Sequence, residues 1–411
     1  KCAGRRDCAG TLAAVSDSMD RADEPAEKAA WDDFMSTPEP SPPRFVLTTR
    51  QLTMAAVVGA VLVIILTIVM WPDRNFGQQS NGLSDFVATE QYEAVVIDIG
   101  DGPCENCIDV TFEMVAGPDE GLLVVQTFSS NPITDFSDGD RVVMGYLPDS
   151  PEEFRYQFFD RQRRGVLWAV ALLFAAAVVL LGRMRGLAAL GGLVASLGVL
   201  FWFVLPGILD GKPPVAVAAV GAALIAYLAL YVAHGFRPLT TVALIGTLGA
   251  LALTTLLSAA VVEAAQITGF ASEEASYLTL FSADLDFRGL VLAGVVLGAM
   301  GALDDVTVTQ ASAVWELRSA DPTMQPPQLF RAGLRIGRDH IASTVNTLVL
   351  AYAGAAMPLL ALFVLSEQSL GSLANSEAVA TEIIRTFVGS IGLVAAVPLT
   401  TWLAAHAAAE D

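Results

Sequence analysis

Eight stretches of about 20 apolar residues alternate with polar connections along the chain, each long enough to cross the hydrocarbon core of a bilayer as an α-helix. They run over residues 54–71, 165–182, 186–205, 214–233, 240–262, 289–312, 341–365 and 383–404. The first follows a long hydrophilic tail and is succeeded by Trp71-Pro72-Asp73, with no small-residue cleavage pattern. It is therefore read as a retained anchor over 51–72 and not as a secretory signal.

Between the first two stretches the period changes. From 90 to 147 the runs EAVVIDI, DVTFEMV, LLVVQTF and DRVVMGYL are separated by Gly, Pro, Asp and Asn clusters that mark turns. They predict a small all-β, OB-like domain within residues 73–160, outside the membrane. At under about 70 residues its core is marginal. Cys104 and Cys107, in GPCENCID, are candidates for a reinforcing disulfide. The alternatives are two ordinary thiols and a redox or metal pair. A tetrahedral metal site wants four ligands, and no second Cys-x-x-Cys or nearby His supplies them.

Composition agrees with a lipid setting: 54% of the residues are hydrophobic and 16% charged. The net charge of −20 is uneven, because residues 73–160 hold eighteen Asp or Glu against three Arg while the apolar stretches hold almost none. A nucleic-acid partner is excluded by this balance, since phosphate binding needs a positive face. The first eighteen residues, with Cys2 and Cys8, carry no packing pattern, and Met19, opening MDRADEPAEKAAWDDF, reads as a start. Residues 1–50 are too rich in Asp, Glu, Pro and Ala to bury a core and are expected to be a disordered acidic tail. Residues 161–411 then form a seven-helix membrane domain. Arg44, Arg50, Arg183, Arg185, Arg237, Arg318, Arg331, Arg335 and Arg338 fall on one side. Arg74, Arg161, Arg163, Arg164, Lys212 and Arg288 fall on the other. This bias places both termini in the cytoplasm.

Ionisable groups inside a span are costly unless paired or hydrated, so each is a functional candidate. The sixth stretch begins with closely spaced glycines, Gly294 and Gly298 among them, at a spacing that lets helices approach. It ends with Asp304 and Asp305, and Asp305, Thr309, Ser312 and Glu316 share one helical face. At 1.5 Å per residue, Asn346 of the seventh stretch, flanked by Thr344 and Thr347, lies at a similar depth. The two helices are expected to form a pocket of carboxylate, amide and hydroxyl oxygens suited to a proton or a hard cation. Arg385 in the eighth stretch is too far away to join it. Glu382, Glu263 and Asp286 are its candidate partners, or it snorkels to the interface. Pro358 and Pro398 are each able to kink their helices. His234, His340 and His406 lie at or beyond stretch ends, far apart, without zinc spacing, and are given no catalytic role. No internal repeat is evident.

Three blocks, LGAMGALDDVTVTQASAVWEL, GLRIGRDHIASTVNTLVLAYAGAAMPLL and EIIRTFVGSIGLVAAVPLT, resemble in order and spacing the signature blocks of the YibE/F-like membrane proteins. The resemblance marks Asp305, Asn346, Thr347, Tyr352 and Arg385 as motif positions. It implies a multi-pass protein of the bacterial plasma membrane and supplies no reaction. Where many relatives carry a single Asp after an Ile-Met pair, this chain has Leu303-Asp304-Asp305.

The expected function is a secondary transporter or exporter whose intramembrane carboxylate site binds a proton or cation. A membrane scaffold or envelope-assembly factor is the alternative, acting through the external domain and docking an envelope protein or a small solute. An enzyme is not expected: adjacent carboxylates point about 100° apart on one helix, and no nucleophile–base motif occurs. No cofactor is implied.

Overall fold

The computed structural model describes residues 48–72, 90–129, 135–148, 150–271, 273–281, 285–365 and 369–409. The tail expected to be disordered, with Cys2, Cys8 and Arg44, lies outside the described residues as far as position 47, and so does Arg74. Helix α1 (Thr49–Val69) opens with a capping box: the Gln51 N–H donates to Thr48 Oγ1 (3.3 Å) and the Thr48 N–H to Gln51 Oε1 (2.9 Å).

Five antiparallel strands follow: β1 (Glu90–Asp101), β2 (Cys107–Met114), β3 (Leu123–Ser129), β4 (Arg141–Tyr146) and β5 (Tyr156–Arg161). Their order in the sheet is β3-β2-β1-β4-β5. The pattern of runs ends at 147 and misses β5, whose Tyr156 is buried in the domain core with Phe112, Met114 and Met144. The sheet curls until its edges meet through one side chain. Gln126 of β3 donates from Nε2 to the Tyr156 carbonyl (2.6 Å) and accepts at Oε1 from the Phe158 N–H (3.0 Å). Cys104 and Cys107 are joined as a disulfide in the β1–β2 turn, with Cα atoms 5.2 Å apart.

The remainder is helical. Helix α2 (Arg164–Val199) passes through a π-helical turn (Leu200–Val204) into α3 (Leu205–Leu209). Then come α4 (Pro214–His234), α5 (Pro238–Ala264), α6 (Glu273–Phe281), α7 (Phe287–Ala320), α8 (Pro326–Ala355), α9 (Met357–Leu365), α10 (Leu370–Asn375) and α11 (Glu377–Ala407). Among the described residues six helices are long and apolar enough to cross a membrane, or seven when α8 and α9 count as one span bent by 65°. The expectation was eight. The run Arg164–Leu209 counts once, yet it contains two of the expected stretches and its backbone breaks between them at Arg183 (φ 51°, ψ −129°). That break brings Gly186 against the Val178 carbonyl, where a Cβ would not fit. Of the two prolines, Pro358 sits in the first turn of α9, just past the bend, where its missing N–H ends the preceding helix. Helix α11 runs on through Pro398.

Helix α7 packs against α4, α5, α8 and α11. It meets α5 through a buried pair of hydroxyls, Thr247 and Thr307, 2.6 Å apart. Helices α5 and α11 cross where Gly246 faces Thr400 and Thr254 faces Gly392. Ile245-Gly246 and Leu253-Thr254-Thr255 recur at the same spacing as Ile391-Gly392 and Leu399-Thr400-Thr401. A short repeat is therefore present where the hydropathy pattern showed none.

The helix ends sort into two sets. At one end Lys212 reaches the Trp71 carbonyl, Gly289 lies beside Pro214, and Glu377 accepts the Thr268 and Gly269 N–H groups (2.8 and 2.6 Å). At the other, Arg318 at the end of α7 donates to the carbonyls of Met324 (2.8 Å) and Ala409 (3.5 Å).

Candidate functional site

Asp304 and Asp305 open the polar half of α7. They line a cavity of about 470 Å³ between α7, α4 and the second part of α2, together with Ser196, Ala229, His234 and Met300. Leu193 and Leu197 of α2 and Leu200 of the π-helical turn line it as well. The cavity exists because α2 comes close to α4 at Gly192, where a Cβ would stand 3.6 Å from the Ala229 Cα. Asp304 is half-buried and Asp305 exposed, which makes Asp304 the more enclosed of the two. Ser196 uses its hydroxyl on the Gly192 carbonyl (2.9 Å), leaving an oxygen that can accept.

The spacing argument for α7 holds in one respect: Asp305, Thr309, Ser312 and Glu316 are all exposed or half-exposed along one face. The expected pocket shared with the following helix is not formed as expected. Neither Thr309, Ser312, Asn346 nor Thr347 lines the cavity. Asn346 and Thr347 are exposed on α8, and Thr347 returns its hydroxyl to the Ser343 carbonyl (3.0 Å). The reason is the face that α8 buries. Gly333 and Gly337 lie against Val314, Thr401, Val397 and Gln310, and this small-residue contact fixes the rotation of α8. The residues that share the cavity with the carboxylates come from α2, its π-helical continuation and α4 instead, and His234, expected to have no catalytic role, is among them.

One further polar group went unrecognised. Gln310 is buried and donates from Nε2 to the Gly333 carbonyl (2.7 Å) and Thr401 Oγ1 (2.8 Å), tying α7, α8 and α11 together. The Gly333-x-x-x-Gly337 spacing beside it was the available signal. Tyr352 places its hydroxyl against Gly298.

Arg385 is paired with Glu382, Nη1 to Oε1, at 2.7 Å. The other candidate partners are engaged elsewhere: Glu263 holds Arg288, and Asp286 accepts the Gly289 N–H (2.8 Å) to cap α7. The Arg385 side chain is 27% exposed and lies beside Gly294 of α7.

Neither a curated protein nor a solved structure matches the chain. A family model described as YibE/F-like protein matches residues 170–410, a region that contains the carboxylate cavity, the Gln310 knot and Arg385. With more than half of its length so matched, the chain belongs to the YibE/F-like protein family.

Proposed function

We propose that this protein is a secondary transporter or exporter that binds a proton or cation at Asp304 and Asp305. The observation that carries the reading is the cavity itself: two carboxylates, a hydroxyl and an imidazole gathered in an otherwise apolar space between membrane-length helices. Carboxylates held inside such helices mark ion paths and proton relays. In this reading Asp304 is the binding carboxylate and Asp305 the group that exchanges with water. The break at Arg183 divides Arg164–Leu209 into two crossings, which together with the bent pair makes eight. Both termini then lie in the cytoplasm of a bacterial plasma membrane, the strands outside it, and the cavity near the cytoplasmic side. The protein carries out no covalent chemistry. The strand order, closed between β3 and β5 by Gln126, supports an OB-like reading of the external domain.

A second reading, a scaffold or envelope-assembly factor, is favoured by one feature. Leu122, Leu123 and Val125, on and beside edge strand β3, are 45%, 56% and 61% exposed, and an apolar edge strand is a surface for strand or partner docking.

The deciding experiment is thermal unfolding of the purified protein against a panel of monovalent and divalent cations and pH values, followed by flux into liposomes. A ligand bound only to the folded state adds about 2.7 kcal/mol at a hundred times its Kd. An ion that stabilises the parent and not Asp304→Asn supports transport. If no ion or pH distinguishes the two proteins and neither moves solute, the scaffold reading takes its place.

A further inference from the structure

The second half of α8 carries an exposed face unlike those of the other helices at the rim of the bundle. On α1 the exposed positions are bulky and apolar, Val57, Val61, Leu62 and Ile65 among them, and on the first part of α2 they include Leu172, Leu173 and Leu180. Such faces suit lipid. On α8 the exposed positions are Ala342, Ser343, Asn346 and Thr347, followed by Leu350 and Gly354. Ala342, Asn346, Leu350 and Gly354 recur every fourth residue and so form one ridge, with Ser343 and Thr347 beside it.

This face lies at membrane depth. No Asp, Glu, Lys or Arg occurs between Asp339 and Glu367. Asn346 falls between two contacts of α8 with α7, Gly337 on Gln310 and Tyr352 on Gly298, and is therefore level with the stretch of α7 that holds Asp304.

The Asn346 amide is left over. Its side chain makes no hydrogen bond among the described residues, and neither does the Ser343 hydroxyl. An amide bared to hydrocarbon is costly, and within membranes a facing helix is what satisfies it. Asparagine both donates and accepts, so two copies of it across a two-fold axis complete each other. Copies in one membrane share their orientation, which puts that axis along the membrane normal and brings like residues together. The small side chains at 342, 343 and 347 let the backbones approach.

The charges outside the apolar stretch fit the same axis. Arg335 and Asp339 are exposed one turn apart on the side of α8 that carries Asn346, and neither has an ion-pair partner among the described residues. Arg331 and Arg338, on the flank, already have partners.

We propose that this face of α8 is the interface between two copies of the chain, with the two Asn346 amides bonded to each other at its centre and Arg335 reaching the partner's Asp339 on either side of the axis. Asn346 does not line the Asp304 cavity, so the pairing stands apart from that site and from whether the protein transports.

The test is subunit counting by single-molecule photobleaching of the full-length protein in phosphatidylcholine vesicles over a range of protein-to-lipid ratios. The parent is expected to pass from monomer to dimer as the ratio rises. Asn346→Leu, which suits lipid, weakens the dimer about tenfold, and Asn346→Gln, which keeps an amide, retains most of it. Ala342→Phe keeps Asn346 but holds the helices apart, and it weakens the dimer as strongly, whereas Val61→Phe on the exposed face of α1 does not. Ser343→Cys, combined with Cys2→Ser and Cys8→Ser, yields a disulfide-linked dimer on oxidation with copper phenanthroline, which keeps the test decisive if the variants at 342 and 346 fail to fold. A parent that stays monomeric at every ratio overturns the proposal and leaves the face to a different membrane protein. A dimer that survives both Asn346→Leu and Ala342→Phe, or that does not cross-link at position 343, overturns it as well.

Discussion

Gly246 of α5 lies directly against Thr400 of α11, and eight residues further along α5 the roles reverse, with Thr254 against Gly392. The two helices run antiparallel, so one Gly-x7-Thr motif meets a copy of itself and each glycine receives the other helix's threonine. Apolar association gives little preference between helices in lipid, and close packing of this kind takes its place.

Gly246→Ala drives a methyl into Thr400 and is expected to destabilise the protein by about 1–3 kcal/mol. Thr400 Oγ1 is buried without a hydrogen-bond partner, so Thr400→Ala removes the clash and restores most of the loss. A double-mutant cycle by unfolding in mixed detergent should return a coupling of about 1 kcal/mol or more. Additive effects would mean that the two residues do not meet.

Gln310→Leu deletes two hydrogen bonds and leaves the Gly333 carbonyl without this donor. A loss of about 1–3 kcal/mol is expected. Because α8 is held at this point, protection of its amides in hydrogen exchange should fall more than that of α5.

Asp304→Asn should keep the fold and lose any cation- or pH-dependent stabilisation, whereas Thr309→Ala and Asn346→Ala, which lie outside the cavity, should retain it. A reversed ranking by thermal unfolding would move the site to the exposed stripe of α7.

In the external sheet, burial holds the Tyr156 phenol above its ordinary value, and the bond it donates to Asp119 (2.9 Å) adds to this. A raised folded value means its contribution is complete below the unfolded value near pH 10 and is lost as pH rises beyond it. Tyr156→Phe should remove one late-ionising tyrosine from the alkaline titration followed by absorbance at 295 nm, and cost about 1–3 kcal/mol at neutral pH.

Membrane-length apolar runs and the first four strands were legible because each depends on local period alone. The start of α8 was not. Arg331, Arg335 and Arg338 fall on its exposed side while Leu329, Ala332, Gly333 and Gly337 are buried, and averaging hydropathy over a window cancels the two faces. The same limit applied to the site. Asp304 and Asp305 stand out as charges within an apolar run, but their neighbours depend on the rotation of α8 and the approach of α2 at Gly192. Those are tertiary contacts between glycines and side chains far away in sequence. Gln310 was missed because a single amide among apolar residues has no period.

Strand β5 ends at Arg161 and α2 begins at Arg164, so two residues, reaching no more than about 7 Å, tether the sheet to the first part of that helix. Between Arg164 and Gly182 no residue is buried. The sheet is thus leashed to the stretch of α2 that the rest of the protein grips least. A tilt imposed on the sheet passes into α2 at the expense of lipid contacts alone, and Arg183, where the helix breaks, is the joint at which that tilt stops or is handed on to the wall of the carboxylate cavity.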